Sequence, residues 1–157
     1  MRGYWWRPSQ NRPPETEKEI DVTTPIFIDH SQVGAYIDTL ARFGAFGETG
    51  VRRLVYSPEW VAAMDQCRRW AEQADLDVST DAVGNLWARI PGNDPGRSVV
   101  TGSHIDSQRS GGRYDGALGA ICGILALGAL KAQAGTPIRT LEALVLCEEE
   151  GSRALSR

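Results

Sequence analysis

An α/β fold is predicted by three features of this sequence. Apolar segments of strand length alternate with helical segments, Gly, Pro and Asn clusters separate them, and polar residues collect where two apolar strands end. Residues 1–25 carry Pro8, Pro13, Pro14 and Pro25 among many charges, without periodicity, and are expected to form a flexible leader containing Tyr4, Trp5 and Trp6. From Ser31, expected as a cap, Val33, Tyr36, Ile37, Leu40 and Phe43 repeat at helical spacing until Gly44 and Gly47. Ser57-Pro58 opens a second helix whose predicted apolar face is Trp60, Val61, Met64, Cys67 and Ala71. Short strands are expected over 76–80, 85–90 and 98–102, with turns at Gly84-Asn85 and across 91–96. A polar loop over 103–113 leads into a buried helix from about Gly116 to Ala134, closed by Gly135 and Pro137. A last strand, Arg139 to Cys147, runs into Glu148-Glu149-Glu150-Gly151.

Composition bounds the function. The chain of 157 residues has 41% hydrophobic and 24% charged residues, which describes a globular protein with a real core. Its 17 Lys and Arg against 20 Asp and Glu give a net charge of −3, which argues against non-specific nucleic-acid binding. The apolar run 117–130 is shorter than the roughly 20 residues a membrane span needs, and no signal-peptide pattern opens the chain. Neither nucleic acid nor membrane is therefore an expected partner. Cys67, Cys122 and Cys147 are odd in number and widely spaced, so a reducing cytoplasm is the expected location. Only His30 and His104 are present, so any metal chemistry has to lean on carboxylates.

Three segments carry candidate chemistry. The strand Val99-Val100-Thr101-Gly102 delivers Ser103-His104-Ile105-Asp106 at its carboxyl end. His104 and Asp106 are two apart, so on extended backbone they share a face, and Asp106 can hold one imidazole nitrogen while the other meets a metal. Asp115 precedes the apolar helix, where a carboxylate serves as either a cap or a ligand. Leu144-Val145-Leu146-Cys147 delivers Glu148, Glu149 and Glu150, whose mutual repulsion a divalent cation would relieve. Sites in open α/β sheets collect at carboxyl strand ends, so these segments are expected to converge.

Gly102-Ser-His-Ile-Asp-Ser107, Gly111-Gly-Arg-Tyr-Asp-Gly116 with Leu118-Gly119, and Glu149-Glu-Gly-Ser-Arg153 resemble the signatures of metal-dependent amidohydrolases acting on N-carbamoyl compounds. These include N-carbamoyl-L-amino-acid hydrolase, allantoate amidohydrolase and β-ureidopropionase, within the aminoacylase and glutamate-carboxypeptidase-like di-metal peptidase superfamily. Gly50-Val-Arg-Arg-Leu-Val-Tyr-Ser57 and Asp81-Ala-Val-Gly-Asn-Leu86 fit as well, so the likeness covers about residues 30–153. It implies a mixed central sheet flanked by helices and a centre of two divalent ions, zinc or manganese. His104 would bind one ion, Glu150 the other, and Asp115 would bridge both. Glu149 would be the general base and Asp106 would orient His104. The implied substrate is a small ureido or amide compound, and a homodimer is the implied assembly of the full-length family. No substrate-binding residue is singled out.

The resemblance also implies a much longer chain. Residues 26–157 match only the N-terminal part of the family's catalytic domain, without its lid domain or C-terminal half and without two further histidine ligands. Two readings follow. The first is a truncated hydrolase, inactive alone because each ion is left with two protein ligands. The second is a non-catalytic remnant that acts by assembling with a partner or a full-length homologue.

Overall fold

The computed structural model describes residues 25–151. The expected leader, with Tyr4, Trp5 and Trp6, lies outside the described residues apart from Pro25, as does Arg153. In chain order the elements are α1 (His30–Arg42), β1 (Ala45–Phe46), β2 (Gly50–Val51), α2 (Pro58–Gln73), β3 (Asp77–Thr80), β4 (Leu86–Ile90), β5 (Asp94–His104), β6 (Gly111–Gly112), α3 (Ala117–Ala134) and β7 (Arg139–Leu146).

The helices start where side chains can satisfy their free N–H groups, but one cap differs from expectation. Asp29, not Ser31, caps α1: its carboxylate accepts the Ser31 backbone N–H at 2.9 Å and the Ser31 hydroxyl at 2.7 Å. A charged acceptor suits the positive end of a helix, and these bonds hold the Asp29 carboxyl below its ordinary pKa. Ser57 caps α2 as predicted, accepting the Trp60 N–H at 3.1 Å, with Pro58 in the first turn. The buried face of α2 is Trp60, Ala63, Met64, Cys67, Trp70 and Ala71. Val61, placed on that face by the sequence, is exposed instead, because one residue past Trp60 is about 100° around the helix. Trp70 extends the face and stacks on Tyr36 of α1, ring centroids 3.9 Å apart and planes within 5°.

The main sheet is mixed, in the order β3-β4-β7-β5. β4 pairs antiparallel with both β3 and β7, whereas β5 runs parallel to β7. Leu86, Ala88 and Ile90 of β4 and Ala143 and Val145 of β7 join the helices in one apolar core that also holds Ile105, Ile121 and Ile124. The alternate residues of β4 and β7 face the other way, where Arg89 donates from Nε to Glu142 at 2.8 Å. Strand bounds shift by a residue at β3, β4 and β7. β5 starts at Asp94, inside the expected 91–96 turn, with an irregularity between Asp94 and Val99. β1, β2 and β6 form a second small sheet that the sequence did not announce, since two-residue strands leave no periodicity to read.

Candidate metal centre

Parallel pairing of adjacent β5 and β7 puts their carboxyl ends side by side, in the register Ser103 with Val145 and His104 with Leu146. The imidazole and the glutamate run thereby meet. His104 is buried, and its Nε2 lies 3.3 Å from Glu149 Oε2. His104, Glu149 and Glu150 each offer a ligand atom, and these atoms lie within 4.8 Å of one another. Ligands around a zinc-sized ion stand about 2.0–2.2 Å from it, so groups gathered this closely line one centre able to hold divalent cations. One imidazole nitrogen and two carboxylates also form a donor set suited to zinc or manganese.

Asp106 ties the two strand ends together. Its side chain is fully buried, with Oδ1 3.5 Å from His104 Nδ1. The Glu149 N–H donates to Asp106 Oδ1 at 3.4 Å and the Glu150 N–H to Oδ2 at 3.1 Å. His104 Nδ1 is also 3.1 Å from the Asp106 carbonyl oxygen. One carboxylate therefore orients the imidazole and the backbone of both glutamates, more than the expected contact with His104 alone. The Asp106 hydrogen bond, working against burial, raises the His104 pKa to about 8. Burial pushes the Asp106 carboxyl up, but the His104 hydrogen bond and the two backbone N–H groups bring it below its ordinary value.

The glutamate turn is anchored from a third direction. Glu148 takes a left-handed backbone conformation, φ 60°, which turns the chain sharply after β7. Just before it, the Cys147 N–H donates to Asn85 Oδ1 at 2.7 Å. Asn85 is held by Asp81, whose Oδ2 accepts Asn85 Nδ2 at 2.8 Å and Trp87 Nε1 at 3.1 Å. Asp81 Oδ1 accepts the Val83, Gly84 and Asn85 N–H groups at 3.0–3.1 Å. These bonds, those from the Asn85 and Trp87 side chains first, lower the Asp81 pKa to about 2. A depressed carboxylate pKa contributes stability that is present above the unfolded value near 4 and lost as pH falls toward 2. Wild type is therefore expected to be more stable than Asp81→Asn at neutral pH. The difference should vanish between about pH 4 and pH 2 when urea unfolding is followed by circular dichroism.

Two residues that sequence reasoning did not single out support the His104 segment. Arg53 is 1% exposed. It donates from Nε to the Ile105 carbonyl at 2.5 Å and from Nη1 to the Leu40 and Phe43 carbonyls at 2.7 and 3.1 Å. Ser107 accepts the Arg53 N–H on its hydroxyl at 2.8 Å and donates its own N–H to the Arg53 carbonyl at 2.9 Å. The signal for Arg53 was its parity: it falls on the buried alternation of Val51 and Val55, whereas Arg52 is exposed. Ser107 had no such signal.

Asp115 is exposed, and its carboxylate is not part of the His104, Glu149 and Glu150 cluster. Nor does it cap α3, whose N-cap position is Gly116, with φ 62° and no side-chain cap bond. Gly116 nevertheless lies against the imidazole: a Cβ there would come within 2.5 Å of His104 Nε2 and Cε1. Asp115 thus starts from backbone beside the cluster. Glu150 is held by the Gln108 side-chain amide, Nε2 to Oε2 at 2.9 Å.

No protein-family model matches the sequence. The chain is 46% identical over 119 residues to allantoate amidohydrolase of Bacillus subtilis (strain 168), covering 75% of this chain and 29% of that relative. It is 36% identical over 129 residues to N-carbamoyl-L-amino-acid amidohydrolase of Pseudomonas sp. (strain NS671), covering 82% and 31%. Among solved structures, a hydantoinase/carbamoylase family amidase from Burkholderia ambifaria superposes with a TM-score of 0.76 at 36% identity, over 82% of this chain and 32% of that one. The chain spans less than a third of the length of each of these proteins.

Proposed function

Since this chain belongs to the family of amidohydrolases that includes allantoate amidohydrolase and N-carbamoyl-L-amino-acid amidohydrolase, we propose that it carries one part of a metal-dependent centre for hydrolysing linear ureido or amide bonds. The observation that carries this reading is the convergence of His104, Glu149 and Glu150 within 4.8 Å at the ends of two neighbouring parallel strands. The substrate class follows from the names of the relatives: small N-carbamoyl or ureido compounds such as N-carbamoyl-L-amino acids or allantoate.

His104 and Glu150 would each hold one divalent ion, zinc or manganese, and Asp115 would reach both. When bound, such ions supply Lewis-acid polarisation of the scissile carbonyl and make water more acidic. The residues of the chain do the rest. Asp106 keeps one imidazole nitrogen occupied, so that Nε2 is the one aimed at the cluster. Glu149, half exposed beside Nε2, accepts a proton from the attacking water on a carboxylate oxygen and returns it to the leaving nitrogen as the C–N bond breaks. Residues 26–157 would form the N-terminal part of the catalytic domain.

With so few protein ligands for each ion, the chain alone is expected to bind divalent ions and to turn over little or nothing. The check is isothermal titration with Mn²⁺ and Zn²⁺, paired with an ammonia-release assay on N-carbamoyl-L-amino acids and allantoate. The expected result is cation uptake lost in His104→Ala, with negligible hydrolysis. Robust turnover abolished by Glu149→Gln would overturn the inactivity; no cation uptake at all would overturn the metal centre. A second reading, a non-catalytic chain that works through assembly, is favoured by the uncovered apolar face of α3.

A further inference from the structure

Away from the His104 cluster, an open groove of about 480 Å³ runs between the start of α1, the end of α2 and the second half of α3. Its size falls within the range of clefts that hold bulky organic groups. Tyr36, Trp70, Ile124 and Leu125 give it apolar walls, and the Tyr36 and Trp70 rings are stacked on each other. The helices come this close because Gly128 has no side chain: a Cβ there would lie 2.9 Å from the Ala74 Cβ. Gln32 and Gln73 are exposed along the groove, and Asp29 is the one charged residue among the described residues that line it.

The chain enters the domain at this groove. Phe27 lines it, is 81% exposed, and has its backbone clamped by one side chain of α3. The Phe27 N–H donates to Gln133 Oε1 at 2.9 Å, and Gln133 Nε2 donates to the Phe27 carbonyl at 2.7 Å. A neighbouring strand would make the same pair of bonds, so Gln133 holds the entering backbone against the end of α3. The sequence also carries an aromatic group that the catalytic reading leaves without a task. Tyr4-Trp5-Trp6 holds two of the 5 tryptophans and is flanked by Arg2 and Arg7. Aromatic rings bury large apolar areas, and a buried indole N–H takes an acceptor. The groove offers aromatic walls, the amide oxygens of Gln32 and Gln73, and a negative charge at Asp29 to suit the basic flanks.

We propose that the groove between α1, α2 and α3 is the docking site for the chain's own Tyr4-Trp5-Trp6 segment. The stretch from Arg7 to Thr24 can reach up to about 60 Å, so the segment has the length to fold back onto the groove that Phe27 lines. The tether also favours this occupant over a free partner. Joined through roughly 20 residues, the segment meets the groove at an effective concentration in the millimolar range. A groove with a Kd of only about 0.1 mM is then filled about 90% of the time. Docking of this kind goes beyond the catalytic reading and holds whether or not the centre is active.

The test uses the full chain labelled with fluorotryptophan and followed by fluorine NMR, with the Trp5 and Trp6 signals assigned from Trp5→Phe and Trp6→Phe. A synthetic peptide of residues 1–12 supplies the undocked reference. Both signals are expected to lie away from their peptide positions and to be broadened about tenfold less by a soluble nitroxide. Ala129→Arg, which places a long cation in the groove, should return both signals to the peptide values and leave those of Trp60 and Trp87 in place. Gln73→Arg, at an exposed position, opposes Arg2 and Arg7 and should move the signals the same way, which keeps the test decisive if Ala129→Arg unfolds the chain. Trp5→Ala combined with Trp6→Ala should shift the Trp70 signal. Wild-type Trp5 and Trp6 signals that match the peptide in position and broadening would overturn the proposal. So would displaced signals that neither groove variant moves. Shifts that grow with protein concentration, alongside a dimer in light scattering, would overturn it by assigning the groove to the segment of a second copy. Shifts seen only with phosphatidylglycerol–phosphatidylcholine vesicles would overturn it in favour of a lipid surface.

Discussion

Arg53→Met is expected to destabilise the domain by on the order of 3–5 kcal/mol, a large share of the total for a chain of this size. The guanidinium is fully buried and serves three backbone carbonyls, those of Leu40, Phe43 and Ile105. Phe43 lies just past the C-terminus of α1 and Leu40 in its last turn, where the Leu40 carbonyl also accepts the Phe43 N–H at 3.1 Å. Ile105 separates His104 from Asp106. Methionine matches much of the volume but leaves all three acceptors without that donor inside the protein, and the cost of an unmade buried hydrogen bond exceeds the value of a made one. Burial already pushes the guanidinium pKa down from its ordinary value, while nearby Asp106 pushes it back up. Arg53→Lys keeps the charge but lacks the fork that reaches α1 and the strand end together, so it should recover only part of the loss. Urea unfolding monitored by tryptophan fluorescence measures both. A loss below about 1 kcal/mol for Arg53→Met would show that the three carbonyls find other donors.

How much of this was legible in the sequence depends on the range of the interaction. Local signals read correctly: Ser57-Pro58 opens α2, Gly135 closes α3, and the apolar run before Glu148 is a strand. The α1 cap was misread by two residues because Asp29 and Ser31 are both good caps and sequence alone does not say which side chain folds back. The expectation that His104 and the glutamates converge rested on the rule for strand ends, and it held because β5 and β7 are neighbours in the sheet. What the sequence could not show is long-range support. The 54-residue separation of Arg53 from Ser107, and the bond between Asn85 and Cys147 across 62 residues, carry no periodicity. The position of the Asp115 carboxylate is of the same kind, set by the loop into α3 rather than by any repeat.

Gly116→Ala is expected to weaken divalent-cation binding by about 10- to 100-fold while the fold survives. The methyl group would be placed 2.5 Å from His104 Nε2 and Cε1, inside van der Waals contact, so the ring has to turn or the loop has to retreat. Either movement spoils the site, because the ring's other nitrogen is bound to Asp106, and Asp106 in turn holds the Glu149 and Glu150 N–H groups. The substitution also carries a backbone cost, since Gly116 sits at φ 62° and ψ −46° in a tight turn closed by the Ala117 N–H on the Asp115 carbonyl, a conformation that residues with a Cβ rarely adopt. Gly47→Ala separates the two effects. Gly47 also has a φ of 62°, but nothing lies within 4 Å of its added Cβ, so that variant pays the cost of a positive φ at its own position without any clash. Thermal melts should therefore shift in the same direction for both variants, while titration with Mn²⁺ or Zn²⁺ should separate them. Unaltered cation affinity in Gly116→Ala would mean that the imidazole can yield without leaving its ligand position, and that Asp106 constrains it less than the hydrogen bonds indicate. A loss of affinity confined to Gly116→Ala would show that close packing of the α3 entry loop holds His104 in place.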